Sequence, residues 1–561
     1  TSSTTKMYLN DIFEFIKIFK KSTVYKQKKF KYMEKFLFIG SLLGSHIEHI
    51  VKKLNLDFYL IYEHNLEIFR LSLFVTNYAK LAKKSQIMFS IMEDKQTTEF
   101  ILSQFFNHAI RSNYILKYYC TNYNIHDYFD RILAVSAQRT PLAFSYTKMI
   151  EGLIRPIFKN IIKYPVLNTK QYYNFLKDTP VLMIGAGPSF GNNIEWIKQN
   201  CKKYFVVAIG ATVNKLCSQG IIPDLITNAD GDQAIAEQFP DNIHNKIKHI
   251  PFLASPSTHD KVLNIFNKEN IILAEVMGAF KKNSRTINGY SVGEVTLSFI
   301  STLGANEIYM IGTDLALDQE TGATHIDDHQ HTVKHEINND KKELNSYVKN
   351  SSFNLASSTL TIKGNLRDKV VTTTNMEKSV MAYNSNMATI KIQDPEIRIY
   401  NLSDGAYIEN TIPTYIKNLN VPKKSISISV DETLHFLKKN SEIDFNQKEK
   451  EFLLDSLNAV ELLSQEIVRI DKLKIKSYDQ FIEIRGKTLE IINTDLKKYA
   501  VFYIDRIFLN YFLMIEPYLG FQFNEKLENE ISYLKKVKKT WCIQMLDIVK
   551  QYKEILHSVT E

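Results

Sequence analysis

The residues able to do chemistry in this chain lie in one central stretch, and most of them directly follow short apolar runs. The first group is Gly185-Ala186-Gly187-Pro188-Ser189. Two glycines let a backbone approach an anion closely, a proline suits the first turn of a helix, and a serine can donate to a phosphate oxygen. The same five residues also fit an ordinary strand-to-helix turn that holds no ligand. Further on, Asp230-Gly231-Asp232 places two carboxylates one residue apart. Such a pair can hold a divalent cation on a sugar nucleotide, or can simply hydrogen-bond sugar and water. Ser291, ahead of Val292-Gly293 and an apolar helical segment, makes a second turn of the anion-binding kind. Thr313 and Asp314 follow Gly312, and a polar loop beyond them carries His325, His329 and His331, with His335 after it. Histidines this close together suggest a metal cluster, yet they lack the helical spacing of a metalloprotease site. An acid/base histidine fits the pattern better, with His325 nearest to Asp314.

These groups need a scaffold that brings them to one edge, and the apolar pattern supplies it. Val181–Ile184, Tyr204–Ile209, Leu225–Ala229, Pro251–Ala254, Ile308–Ile311 and Ile397–Asn401 read as buried strands. Helical segments at Asn192–Asn200, Val213–Gln219, Glu294–Leu303 and Asn375–Lys391 separate several of them, which predicts a doubly wound α/β sheet. Carboxylates at the C-terminal ends of such strands lie where open α/β sheets bind ligands. The strand ending at Ile209 is followed by Gly210-Ala211-Thr212 without an acid, which argues against a dinucleotide enzyme of the NAD type. Phe353–Arg367 with Asp368–Thr374 reads as a hairpin or lid.

Before this core, Phe36–Ile39, Asp57–Tyr62 and Ile87–Ile91 alternate with helices and predict a smaller Rossmann-like domain. Glu63 ends its second strand, where a ribose-binding acid would sit, but Gly40 and Gly44 are too far apart for the dinucleotide fingerprint. A degenerate scaffold without a nucleotide is the favoured reading. A mostly helical, aromatic stretch from 100 to 170 leads to the core. After Ser425, long helical segments almost without glycine or proline predict an all-helical region. The expected division is an N-terminal Rossmann-like domain with helical linker over 1–170, a central catalytic domain over 171–415 and a helical C-terminal domain over 416–561.

Composition limits the function classes. No apolar run reaches the roughly 18 residues a membrane helix needs; Val501–Ile515 comes nearest and contains Asp505 and Arg506. The first residues lack a secretory signal pattern, and Thr1, standing where a start methionine would, suggests that the true N-terminus is missing. Four cysteines without metal or framework spacing fit a reducing compartment, hence a cytoplasmic protein. The formal charge of +9 comes from lysine spread along the whole chain, so it reads as composition bias and not as a nucleic-acid surface. It would still help to attract an anionic sugar nucleotide.

Taken together, Gly185-Ala-Gly-Pro-Ser189, Gly220-Ile-Ile-Pro-Asp224 with Asp230, Tyr290-Ser291-Val292, Gly312-Thr-Asp314-Leu-Ala316 with His325, and Asn401-Leu-Ser-Asp-Gly-Ala406 resemble the motility-associated factor (Maf) family of bacterial flagellin glycosyltransferases. The resemblance covers roughly Tyr172 to Pro413, and the N-terminal piece fits as well. It implies a core similar to bacterial sialyltransferases. It also implies transfer of pseudaminic or legionaminic acid, both nonulosonic acids, from the CMP-activated form to Ser or Thr hydroxyls of flagellin. On that resemblance Gly185, Gly187, Pro188, Ser189, Asp230, Ser291, Thr313 and Asp314 would hold the donor. His325, Asp314 and Asp230 would carry the chemistry, with His325 or Asp314 taking the acceptor's proton. No cofactor is required if N–H groups and serines stabilise the departing phosphate; Asp230 and Asp232 are the residues for a metal if one is used. Two features depart from the pattern: Asp232 adds an acid, and Gly210 stands where relatives often carry one. The alternatives are a pterin diphosphokinase-like enzyme using ATP, with Asp230, Asp232 and Asp314 around Mg²⁺, and a non-catalytic flagellin-binding chaperone.

Overall fold

Two parallel sheets carry the fold. The computed structural model describes residues 3–19, 35–54, 56–108, 117–120, 128, 131–132, 135, 145–276, 278–287, 289–326, 359–423, 426, 428–492, 504–524, 527 and 529–560. Contacts group the chain into two units: one of residues 1–150, 353–355 and 455–554, the other of 151–352, 356–454 and 555–561.

The first unit is built on a four-stranded parallel sheet. Its strands are β1 (Lys35–Ile39), β2 (Phe58–Glu63), β3 (Gln86–Ile91) and β4 (Lys117–Cys120), in the spatial order β3-β2-β1-β4. β4 lies within the stretch that the sequence suggested was mostly helical. All five residues of β1 and all six of β2 are buried, because both faces of the sheet are covered. Alternation sorts them. Leu37, Ile39, Phe58, Leu60 and Tyr62 pack into one core with Leu102 and Phe105, whereas Phe36, Phe38, Tyr59 and Ile61 pack into the other with Ile47 and Leu81. Lys35 is buried too. Its ammonium donates to the carbonyls of Phe105 (3.1 Å) and His108 (2.9 Å), at the negative end of the helix Lys95–Asn107. The helices Tyr478–Ile491 and Ile504–Asn524 and most of Glu530–Thr560 belong to this unit, as does the helix Ser3–Phe19. Phe19 stacks on Tyr533 (5.4 Å) and meets Phe523 edge-on (5.7 Å).

The second unit holds a ten-stranded sheet. Its strands are β5 (Val166–Leu167), β6 (Val181–Ile184), β7 (Phe205–Ile209), β8 (Leu225–Asn228), β9 (Phe252–Ala254), β10 (Ile271–Leu273), β11 (Glu307–Ile311), β14 (Arg398–Asn401), β15 (Ile412–Pro413) and β16 (Ser441–Glu442). A separate antiparallel hairpin pairs β12 (Thr359–Lys363) with β13 (Lys369–Thr373). The order across the sheet is β15-β14-β11-β6-β7-β8-β9-β10-β5-β16, parallel throughout except where β16 meets β5. Beyond the expected last strand, β14, lies the two-residue β15. The fully buried helix segment Gly293–Thr302 packs on one face, and Thr227 and Thr296 bridge sheet to helix by a hydroxyl contact of 2.7 Å. From β6 the chain moves one way to β7, β8, β9 and β10, and then returns to lay β11 and β14 on the other side of β6. The strand order therefore reverses between β6 and β11, and a crevice at the C-terminal ends of those two strands is where such sheets take ligands.

Candidate functional site

Two loops interlock at that reversal. The turn after β6, Gly185–Ser189, zips onto the loop after β11: Gly185 N–H donates to Ile311 C=O and Gly187 N–H to Gly312 C=O, both at 2.8 Å. A Cβ at Gly185 would strike the Gly312 carbonyl, and one at Gly187 would strike both that carbonyl and the Asp314 carboxylate. Gly187 has φ −71° and ψ 166°, a conformation open to any residue, so the close approach and not the backbone shape demands glycine. Gly312, at φ 70°, and Leu315, at φ 47°, are the left-handed positions that bend the second loop.

Asp314 is the hub. Its side chain is buried and accepts the Ser189 N–H (3.1 Å) and the Ser189 hydroxyl. Burial pushes its carboxyl up to about 6; the Ser189 bonds oppose that rise and the nearby charge of Asp404 adds to it. The amide that a phosphate would meet at Ser189 is thus donated to a carboxylate of the same chain. A third loop, Asn401–Ala406, closes behind. Asp404 N–H donates to Ser189 Oγ (2.8 Å), Ala406 N–H to Asp314 C=O (2.7 Å) and Thr313 N–H to Ser403 Oγ (3.1 Å). Thr313 and Ser403 also share a hydroxyl contact of 3.2 Å. Ser403 and Asp404 were legible only as part of a motif; their polar roles rest on contacts between loops about 90 and 215 residues apart in the chain.

His325 reaches the same place. It is half-buried, its Nδ1 is paired with Thr324 Oγ1 at 3.0 Å, and the following Ile326 N–H donates to Ala186 C=O at 3.2 Å. The histidine therefore sits on the loop that seats against the Gly185–Ser189 turn. His329, His331 and His335 lie outside the described residues.

Among the described residues, Asp230, Asp232 and Ser291 make no hydrogen bond to this hub. Asp230 and Asp232 are engaged locally: Asp230 Oδ1 accepts Asp232 N–H (2.8 Å), and Asp232 Oδ1 accepts Ala234 N–H (3.0 Å) to start a short turn. They follow β8, three strands from β11. Asn228, which the sequence reading passed over, ties the Asp230 loop down through Asp230 C=O (2.8 Å) and Thr258 Oγ1 (3.2 Å). Among the described residues no three of His, Cys, Asp or Glu gather as a metal site, so Asp230, Asp232 and Asp314 do not form one. Ser291 caps the helix Val292–Thr302, and its N–H and hydroxyl both go to the buried carboxylate of Glu294. The free turn expected there is a capping box. At Gly210 the ring of Phe239 fills the space a side chain would need, with Cζ 2.9 Å from the site of a Cβ. That packing accounts for glycine at this position.

The first unit repeats the device. Glu63, the candidate ribose acid, is buried and accepts four donors: Ser41 N–H (2.8 Å), Ser41 Oγ–H (3.2 Å), Asn65 N–H (2.9 Å) and the Tyr128 hydroxyl (3.0 Å). Its carboxylate is spent on closing its own turn.

Comparison with known proteins adds three findings. A family model described as the glycosyltransferase Maf N-terminal domain matches residues 1–126. A second, described as 6-hydroxymethylpterin diphosphokinase MptE-like, matches residues 155–320. A solved structure titled as a Maf glycosyltransferase from Magnetospirillum magneticum AMB-1 is similar over 100% of this chain and 83% of its own, with a TM-score of 0.57 and 15% identity, a likeness of fold. A search of curated proteins finds no match.

Proposed function

We propose, from the premise that this chain is a member of the Maf glycosyltransferase family, that it transfers pseudaminic or legionaminic acid from its CMP-activated form to Ser or Thr hydroxyls of flagellin. The observation that carries this reading is the meeting of the Gly185–Ser189 turn, the Asp314 loop and the His325 loop where the strand order reverses. A CMP-nonulosonate brings its own leaving group, so the site has to hold a phosphate, support an oxocarbenium-like centre and remove one proton. The bond from the anomeric carbon to the phosphate oxygen breaks, and CMP leaves with that electron pair. The acceptor oxygen bonds the same carbon and gives its proton to His325, the more accessible of the two candidate bases.

Asp314 has a different part in this scheme. A phosphate entering the turn competes with its carboxylate for the Ser189 amide. Donor binding and protonation of Asp314 are therefore linked, and a group raised to about 6 can take that proton near neutral pH. No step needs a metal. No described helix is long and apolar enough to cross a membrane, and a CMP-sugar donor fits a cytoplasmic reaction on flagellin before export.

The MptE-like match over residues 155–320 favours a second reading, a pterin diphosphokinase-like transfer from ATP with Mg²⁺. Thermal-shift measurements with CMP, ADP and NAD, each with and without Mg²⁺, separate the two. The first reading expects stabilisation by CMP without metal. Stabilisation by ADP only when Mg²⁺ is present would support the second.

A further inference from the structure

We propose that Arg367, at the tip of the β12–β13 hairpin, is a positioning residue for the transfer site, acting through Asp404 and Ser189 on Asp314. The inference rests on the reading of the site given above.

The hairpin is fastened as a fixed strap over the ends of β11 and β14. Leu317 N–H donates to Val371 C=O (3.0 Å), Val371 N–H to Gln319 Oε1 (2.8 Å), and the Thr372 hydroxyl to Leu315 C=O (2.7 Å). On the other side, Asn365 Nδ2 donates to the carbonyls of Asn401 (3.0 Å) and Ser403 (2.8 Å), while Asn365 N–H donates to Gly405 C=O (2.8 Å). Asn365 is itself buried, so the tip of the hairpin has one seat. That seat brings Arg367 to Asp404 in a two-pronged ion pair, with Nε to Oδ1 at 2.9 Å and Nη2 to Oδ2.

Asp404 faces two ways. Its carboxylate goes to Arg367, and its backbone N–H goes to Ser189 Oγ at 2.8 Å, whose own hydrogen goes to Asp314. The guanidinium thus fixes the residue whose amide fixes Ser189, and balances the anionic charge nearest to Asp314. Among the described residues, the charged and titratable groups around this hub are Asp404 from the loop after β14, Arg367 from the hairpin, and Asp318, Glu320 and His325 from the loop after β11. Of these, Arg367 is the cation paired with Asp404. An exposed ion pair of this kind adds little to global stability, so its use here is local.

The test compares Arg367→Met, Arg367→Lys and the double variant Arg367→Met with Asp404→Asn in the full chain. Two readouts are taken for each. The first is the midpoint at which Asp314 titrates, read without substrate by carbon-13 NMR of labelled aspartate, with Asp314→Asn assigning the signal. The second is the pH profile of kcat and KM for transfer. Arg367→Met leaves the Asp404 charge unbalanced and should raise the Asp314 midpoint by roughly half a pH unit or more. The pH at which KM for the donor begins to rise should move up with it, because a protonated Asp314 leaves the Ser189 amide to the phosphate, while the apparent melting temperature changes little. Arg367→Lys should restore most of the wild-type midpoint, and the double variant should return to it. An unchanged midpoint in Arg367→Met overturns the proposal, and so does a shift that the double variant keeps. Absence of transfer in the wild-type protein would count against the glycosyltransferase reading alone, because the NMR midpoint is read without substrate.

Discussion

Replacing Asp314 by Asn removes a titrating group while keeping nearly the same shape, and the structure fixes the sign of the result. In the unfolded chain an aspartate titrates near its ordinary 3.8; in the fold Asp314 is held up at about 6 by burial. A raised acid favours the fold most when it is protonated in both states, below about 3.8, and that advantage is lost as pH rises through about 6. At about 1.36 kcal/mol per pH unit, the difference amounts to ~3 kcal/mol, to order of magnitude. Asn loses one acceptor to Ser189, a cost of about 1 kcal/mol that does not change with pH. Because an unfolded aspartate is already more than half ionised at pH 4, the stability of wild type minus that of Asp314→Asn should fall by about 2.5 kcal/mol of that between pH 4 and pH 7. For domains of 150–250 residues that is roughly 5–10 °C in melting temperature. Differential scanning calorimetry of both proteins across that range reads it directly. Asp224, raised to about 6, and Glu275, raised to about 7, are common to both proteins and cancel in the difference. Parallel stability curves would refute the claim that Asp314 is a desolvated, ionisable hub.

Gly187→Val puts side-chain atoms against the Asp314 carboxylate and the Gly312 carbonyl. It should cost ~1–3 kcal/mol in thermal stability and abolish CMP binding by calorimetry; normal CMP binding would place the phosphate site elsewhere. His325→Ala should lower turnover by about two to four orders of magnitude, the range for a lost general base, with little change in CMP affinity. Near-normal turnover there combined with an inactive Asp314→Asn would make the aspartate the base. Glu63→Gln leaves one amide hydrogen pair facing donors that now bond a carboxylate, so the melting temperature should drop by several degrees. Its transfer rate should stay within about twofold once folded protein is matched, whereas a large loss of rate would give the first unit a catalytic part. Gly486→Ala, at an open position in the helix Tyr478–Ile491, should raise stability by about 0.5–1 kcal/mol in urea unfolding; a loss would mean the position is packed.

Strands of four to six residues with an apolar run bounded by glycine or proline were legible in the sequence, because burial on both faces leaves that run unbroken: Val181–Ile184, and Ile308–Ile311 within the strand Glu307–Ile311, are examples. Strands of two or three residues, such as Val166–Leu167 and Ile412–Pro413, are too short for any period to show. Lys117–Cys120 lay hidden in an aromatic stretch that reads equally well as helix. At the site, the glycine turn, Asp314 and His325 were legible as types at strand ends. The bond from Ser189 to Asp314 joins residues 125 positions apart, and no local pattern announces it. Ser291 is the opposite case. Glu294 stands three residues after it, the local signature of a capping box, and the turn's role as a cap was readable on that ground alone.

The most direct test of the central claim is intact-mass spectrometry of purified flagellin incubated with this protein and CMP-pseudaminic or CMP-legionaminic acid, without added metal. Transfer predicts mass increments of one nonulosonic acid residue, release of CMP in equal amount, and loss of both with His325→Ala. Unmodified flagellin with both donors, together with AMP formation from ATP, Mg²⁺ and 6-hydroxymethylpterin, would contradict the account.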